Sequence, residues 1–443
     1  MTQVQDQLLR LPEWERYLSQ APARGPAAAR RFSEAGAERF AALGVPRSRD
    51  EEWRFTPLAP LVEAGFALPD AADLEGARAA LESVAPRGMT AARLVWVNGR
   101  YAPGLSEVSG LPARARVGSL AAAWLDEPEL LEANLRAGLG EEGHPFSSLN
   151  AALAEDGALV WVPDHVVVET PIHLVFVGQG GGTAAMAHPR SLVLAGRRAS
   201  CTVLESYVAS GAFWTNPVTE LVLGEDATVD HYRVQRDDDT AFHVGRTDAR
   251  IARGGQLTSH AFTFGAAFTR NDVTALLGGE DIDCTLNGLY LSDGRRLVDN
   301  HTAIDHAHPH CGSHELYKGV INGRGRGVFN GKILVRLDAQ KTDARQTNQV
   351  LLLSDESQIQ TKPQLEIFAD DVKCTHGATV GQLDADALFY LRSRGIDAHE
   401  ARAMLVHAFA RDIVDRVRLE PVRELLDEAL RSRLPRARAM AGA

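Results

Sequence analysis

The chain is short of cysteine, of excess positive charge and of long apolar runs, and each shortage excludes a class of protein. Cys201, Cys284, Cys311 and Cys374 are its four cysteines; they lie far apart with no C-x-x-C pair, which argues against a disulfide framework and against a zinc ribbon. A cysteine that matters chemically here acts as a thiol. The formal charge is -11, with acids and bases mixed along the chain, so no basic stripe is available to neutralise phosphates and nucleic acid is not an expected partner. No apolar run reaches the roughly 18 residues of a membrane-spanning helix. The N-terminus interrupts its apolar residues with Asp6, Arg10, Glu13 and Arg16, which leaves no signal-peptide core; a cytoplasmic location is expected.

A hydrophobic share of 45% and a charged share of 24% suit a soluble globular chain rather than a disordered one, and 443 residues leave room for two or three domains. LLRLPEWERYL and AAARRFSEAGAERFAALG place apolar residues three and four apart and predict N-terminal helices, the second ending at Gly44 and Pro46. The strand-like ARLVWVNGRYAPG and the helical LAAAWLDEPELLEANLRAG follow, so residues 1–145 read as a mixed, mainly helical domain. Residues 146–382 change texture: short runs of Val, Leu, Ile, Thr and Phe alternate with polar residues and break at Gly and Asp.

A weak repeat runs through that region in LVLAGRRASCTV, LVLGEDATVDHY, ARIARGGQLTSH and ALLGGEDIDCTL. Its turn glycines, Gly196, Gly224, Gly254 and Gly278, are 28, 30 and 24 residues apart. Strand-turn-strand units at such a period indicate a solenoid, a parallel β-helix whose coils bury their apolar faces against one another, with a β-sandwich as the alternative. Helical patterning returns over 383–443. Asp384 and Asp397 are predicted N-caps, the second in a D-x-x-E box with Glu400, and Gly395 is a predicted helix stop. Ala401, Leu405, Ala408 and Phe409 are expected to share the buried face of one helix, and Val422, Leu425, Leu426 and Leu430 that of a last helix opened by Pro421.

Two motifs invite chemistry and fail on spacing. In NGRGRGVFNGK, Arg326 stands where a phosphate loop needs glycine and Ile333 follows Lys332 where a hydroxyl is required, so the stretch is assigned to solenoid turns. In NHTAIDHAHPHCGSH an extended chain would point His306, His308 and His310 one way with Cys311 opposite, and His301 and His314 are close in sequence. Imidazole and thiolate suit zinc, iron or copper. The spacing matches no structural zinc pattern and Pro309 distorts the strand, so a metal site and a polar sheet edge both stand as readings.

The stretch LEIFADDVKCTHGATVG, residues 365 to 381, has firmer geometry. As a strand it alternates Asp370, Val372, Cys374 and His376 onto one face and Asp371, Lys373 and Thr375 onto the other. Side chains two apart on one face start roughly 6 to 7 Å apart and can close on one ion. Two ligands are too few for a stable centre, so the pair is either half of a site completed by a partner or second segment, or a buried cysteine beside a hydrogen-bonded histidine.

TDARQTNQVLLLS, TKPQLEIFADDVKCTHGATVGQLD and LFYLRSRGI closely resemble the SufB/SufD family of the SUF iron-sulfur cluster assembly system. RSRDEEWRFTPL, FSSLNAAL and GVFNGKILV add to the likeness, which spans about residue 40 to the end, and DDVKCTHGATVG places it on the SufD side of the family. The resemblance implies a right-handed parallel β-helix between helical N- and C-terminal domains. It also implies a scaffold that pairs with SufB through the β-helix, binds the ATPase SufC through its C-terminal helices, and is not itself an enzyme. It assigns His376, with Cys374 beside it, to a transient iron-sulfur cluster shared with SufB, no cofactor being tightly held by the isolated chain. A homodimer in isolation, a purely structural subunit without a cluster ligand, and a metal-dependent β-helix enzyme built on residues 301 to 314 are the alternatives.

Overall fold

A computed structural model describes residues 18, 25–69, 72–137, 143–181 and 183–433. The predicted helix LLRLPEWERYL lies outside them except for Leu18. The second predicted helix forms over Ala27–Leu43 and ends at Gly44, whose φ of 68° continues the chain away from the helix.

The solenoid expected from the glycine spacing is present, as about eight coils. Each coil sends one strand to a first sheet of ten strands, which ends at Lys373–Gly381, and one to a second sheet of eleven, which ends at Gln358–Ile367. Pairing within the coils is parallel. Ser200 pairs with Thr228, Thr228 with Gln256, Gln256 with Asp283, Asp283 with Gly312, Gly312 with Asp343 and Asp343 with Lys373. Subtracting those numbers gives coil steps of 28, 28, 27, 29, 31 and 30 residues. The repeat glycines mark the corners: the amide of Gly224 bonds to the carbonyl of Ala195 and that of Gly278 to the carbonyl of Ile251, one coil back. A Cβ at Gly224 would lie 2.9 Å from backbone atoms of Gly196 and Arg197, so this corner stacks too closely for a side chain.

The sheets extend into the first 145 residues. Ala92–Val97 pairs parallel with Ile172–Gln179 of the first sheet, and Arg116–Ser119 pairs antiparallel with Ala158–Val162 of the second. N-terminal helices therefore sit on a β framework that their own region helps to build.

Register neighbours in parallel strands project to the same side, so interior side chains stack in columns along the solenoid. One column of the first sheet reads Cys201, Val229, Leu257, Cys284, Ser313, Ala344, Cys374. The next reads Val203, His231, Ser259, Leu286, Glu315, Gln346, His376. The interior is mostly apolar, with Ile172, Leu221, Leu277, Ile304 and Phe329 in one cluster, but it also holds buried polar groups. Glu205 accepts hydrogen bonds from Thr219 at 2.7 Å and from Tyr207 at 3.0 Å, which satisfies a carboxylate that burial alone would disfavour.

Each outer face has its own cover. Phe40, Trp53, Leu61 and Phe146 pack on Trp214, Val244, Phe268 and Leu297 of the second sheet. Val406, Ile413, Val422 and Leu426, from the C-terminal helices Ala398–Val414 and Glu420–Arg433, pack on Tyr232, Phe262, Leu289 and Val320 of the first. A fully buried leucine such as Leu426 contributes roughly 2 kcal/mol through area removed from water. The expected caps form: Asp384 accepts from the amides of Asp386 and Ala387, and Asp397 from that of His399. Pro421, Val422, Leu425, Leu426 and Leu430 fall as expected on the last helix, where the four apolar residues are buried.

The expected face of Ala398–Val414 is turned. Ala401 is buried, but the rest of its buried residues are Val406, Ala410, Ile413 and Val414, not Leu405, Ala408 and Phe409. Phe409 is only partly buried against the same cluster, and Lys318 sits beside it. Its ammonium donates to the carbonyl of Phe409 at 3.2 Å, pairs with Asp412 at 2.7 Å and lies 4.5 Å from the centre of the Phe409 ring. Among the described residues, no helix is long and apolar enough to cross a membrane.

Candidate functional site

The last coil differs from those before it. Gly312–Ile321 and Arg326–Val335 bury most of their residues, whereas Gln358–Ile367 and Lys373–Gly381 bury none. Each of these final strands has a strand neighbour on one side only, so backbone donors and acceptors face outward along both edges. Ile367, Phe368 and Val380 are exposed here, as are Phe389 and Tyr390 on the adjoining helix Ala385–Ser393, which buries no residue at all.

Cys374 and His376 stand on this coil, on the same interior side, as the alternation requires. The alternation begins later than expected. Asp370 and Asp371 form the corner before the strand, which starts at Lys373, and Asp371 is paired with Lys341 of the previous coil. Cys374 is half-buried against a cluster that contains Ile333, Val335 and Ala344. Burial raises its thiol pKa and the charge of Asp343 adds to this, against a hydrogen bond involving the Ala344 backbone, so the thiol is held in its protonated form. His376 is exposed. Its register neighbour Gln346 is 1% exposed and donates to Glu315 at 2.8 Å.

The residues from 301 to 314 do not take the extended form that would have aligned them. The strand Leu297–His306 stops at His306, and His308 and His310 lie in the exposed corner that follows, with His310 at φ 61°. His306 turns inward to Ser313 at 2.9 Å, and burial lowers its pKa to about 4. Cys311 is buried and donates its S–H to the carbonyl of Gly279 at 3.2 Å. His314 is exposed. His301 instead belongs to a contact between the N-terminal turn and the second sheet, 2.9 Å from Glu52 and 3.1 Å from Asp299. Among the described residues, no three histidine, cysteine or acidic groups lie where they could hold one ion, at this corner or at Cys374 and His376.

Gln346 and Glu315 were not singled out by motif. The signal that points to them is the coil period: they precede His376 by 30 and 61 residues, one and two coils back.

Residues 176–409 match the family described as SUF system FeS cluster assembly, SufBD core domain, and residues 15–174 match the SufBD protein N-terminal region. An iron-sulfur cluster assembly SufBD family protein of Synechocystis is 35% identical over 412 residues, covering 90% of each chain. The iron-sulfur cluster assembly protein SufD of Escherichia coli is 31% identical over 398 residues, covering 88% of this chain and 90% of its own. The protein SufD of Bacillus subtilis is 28% identical over 300 residues, 66% of this chain and 67% of its own. The two family models together span most of the chain, and two of these relatives exceed 30% identity over about nine tenths of their length: the chain belongs to the SufBD family of SUF-system iron-sulfur cluster assembly proteins.

Proposed function

We propose that this chain is a SufD-like scaffold subunit that pairs with SufB along its open last coil, docks the ATPase SufC through its C-terminal helices, and contributes His376, and secondarily Cys374, to a cluster built between the two subunits. The observation that carries this reading is that the two candidate ligands sit together on the least covered strand of the solenoid, without a third among the described residues. Cluster iron needs more ligands than two, so a neighbouring chain has to supply the rest. The exposed edge and apolar residues around the pair suit a chain that adds to the coil. The chain acts as scaffold rather than enzyme, ATP hydrolysis belonging to SufC.

A second reading keeps the chain purely structural, and the packing of Cys374 against Val335 and Ala344 favours it for that residue. Co-expression of His376→Ala with SufB and SufC, followed by size analysis and anaerobic iron and sulfide measurement, separates the two. The expected result is a complex of normal size with cluster yield reduced at least about tenfold, on the scale of losing a ligand. A normal cluster yield removes His376 from the site, and a complex that fails to assemble favours the structural reading.

A further inference from the structure

Glu315, Gln346 and His376 occupy consecutive coils of one interior column. The carboxylate of Glu315 accepts from the Thr302 hydroxyl of the facing sheet at 2.5 Å, and its other oxygen accepts from the Gln346 amide nitrogen at 2.8 Å. An ionised carboxylate only accepts, so this contact fixes which way the Gln346 amide faces: NH2 toward Glu315, carbonyl away from it. Gly331 makes room for the amide. A Cβ at that position would lie 2.3 Å from Gln346 Nε2 and 2.7 Å from its Cδ. The buried carbonyl oxygen of Gln346 has no hydrogen-bond partner. A buried acceptor without a donor is costly, and the next side chain of the column, one strand spacing of about 4.8 Å away, is an imidazole.

We propose that Gln346, held by Glu315, is a positioning residue for His376: its carbonyl accepts one ring N–H and turns the lone pair of the other ring nitrogen outward at the open coil. Imidazoles that ligate metals commonly donate their second N–H to a fixed acceptor, which selects the tautomer and aims the ring. Glu315 acts one step further back, as the anchor that keeps a carbonyl rather than an NH2 facing the histidine. The proposal rests on the reading of His376 as a cluster ligand for its purpose, but the hydrogen bond itself exists or fails in the chain alone.

The test uses nitrogen-15 spectra of the full chain labelled at histidine, recorded at pH 8 without SufB, with the His376 signals assigned from their loss in His376→Gln. Wild-type His376 is expected in one dominant neutral tautomer, with ring shifts distinct from those of the exposed His308. Equal shifts for the two histidines overturn the proposal. In Gln346→Leu, close to the same size, the tautomer ratio is expected to move to that of the exposed His308 while the unfolding temperature stays within a few degrees; His376 shifts unchanged from wild type overturn it. Should Gln346→Leu fail to fold, Glu315→Gln answers the same question, because the amide pair no longer fixes which end faces His376 and mixed tautomers are expected; a single unchanged tautomer again overturns it. Cluster yield is read separately in the complex with SufB and SufC. A tautomer that depends on Gln346, together with normal yield from His376→Ala, keeps the hydrogen bond and removes only its purpose.

Discussion

Cys201, Cys284 and Cys374 share one interior column, and the column decides what each thiol can do. Three coils separate each from the next, about 14 Å at the usual strand spacing, which is too far for a disulfide. Burial pushes the Cys201 thiol up to about 12 and raises that of Cys284 further, so both pack as small apolar groups. Glu315 is an interior group whose charge changes within the working pH range. Burial raises its pKa to about 7, against hydrogen bonds from Thr302 and Gln346 that favour the charge. The other titratable groups of its surroundings, Tyr317 and Cys284, are kept neutral by burial first and by nearby negative charge second. A carboxyl whose folded pKa is raised stabilises the fold fully below its ordinary value of 4.5, and that contribution is lost as pH rises through about 7. Glu315→Gln, which mimics the neutral form, is therefore expected to melt above wild type at pH 8, by up to roughly 3 kcal/mol, with the gap closing toward pH 5. Thermal unfolding at both pH values measures this; a gap independent of pH counts against it.

Among the elements, the short turn Glu51–Trp53 shows how the N-terminal cover is pinned to the second sheet. Arg270 lies 4.3 Å from the centre of the Trp53 ring, donates to the carbonyl of Glu52 at 2.7 Å and is held by Asp272 at 2.8 Å and Asp299 at 2.7 Å. Thr56 also bonds to Asp299. His301 closes the contact. Burial and Arg270 oppose its proton, but Asp299 and Glu52 outweigh them and its pKa is raised. The stability that this charge supplies is fully present below the ordinary histidine value and lost as pH rises through the raised one. Limited proteolysis between residues 47 and 56 is therefore expected to quicken as pH rises from 6 to 9 in wild type, and to be already fast at pH 6 in His301→Gln. Equal cleavage of wild type across that range would show that the imidazolium is not part of the pin. His301 was legible in the sequence only as one histidine among several, because its partner Glu52 lies 249 residues away. The coils were legible, since their corner glycines recur at nearly the coil step. The buried face of Ala398–Val414 was not, because the residues it packs on, Tyr232, Phe262 and Leu289, lie on distant strands of the first sheet. His376 and Cys374 stood out through strand alternation and family likeness, whereas Gln346, although it lies in the family-like stretch TDARQTNQVLLLS, and Glu315 gain a role only once the coils are laid in register.

For the whole molecule, the contrast between covered faces and an open end is the main feature. The outer faces are closed by N- and C-terminal elements, while Lys373–Gly381 and Gln358–Ile367 leave strand edges free. A free edge with Phe368 61% exposed and Val380 44% exposed is a template for another chain. By itself the protein is expected to self-associate, and sedimentation is expected to show a dimer whose dissociation constant weakens at least about tenfold in Val380→Lys, which puts a charge on the open strand that an added strand would cover. A monomer at all concentrations would indicate that the edge is protected in some other way. The regular step of the coils has a further consequence. Seven strand steps separate Ile172–Gln179 from Lys373–Gly381 in the first sheet, about 34 Å at the usual spacing. The solenoid is thus a ruler with graduations of one coil: removing a complete coil would draw His376 toward the N-terminal cover by about 4.8 Å and leave every interior column facing inward, whereas removing one residue within a strand would turn the rest of that strand inside out.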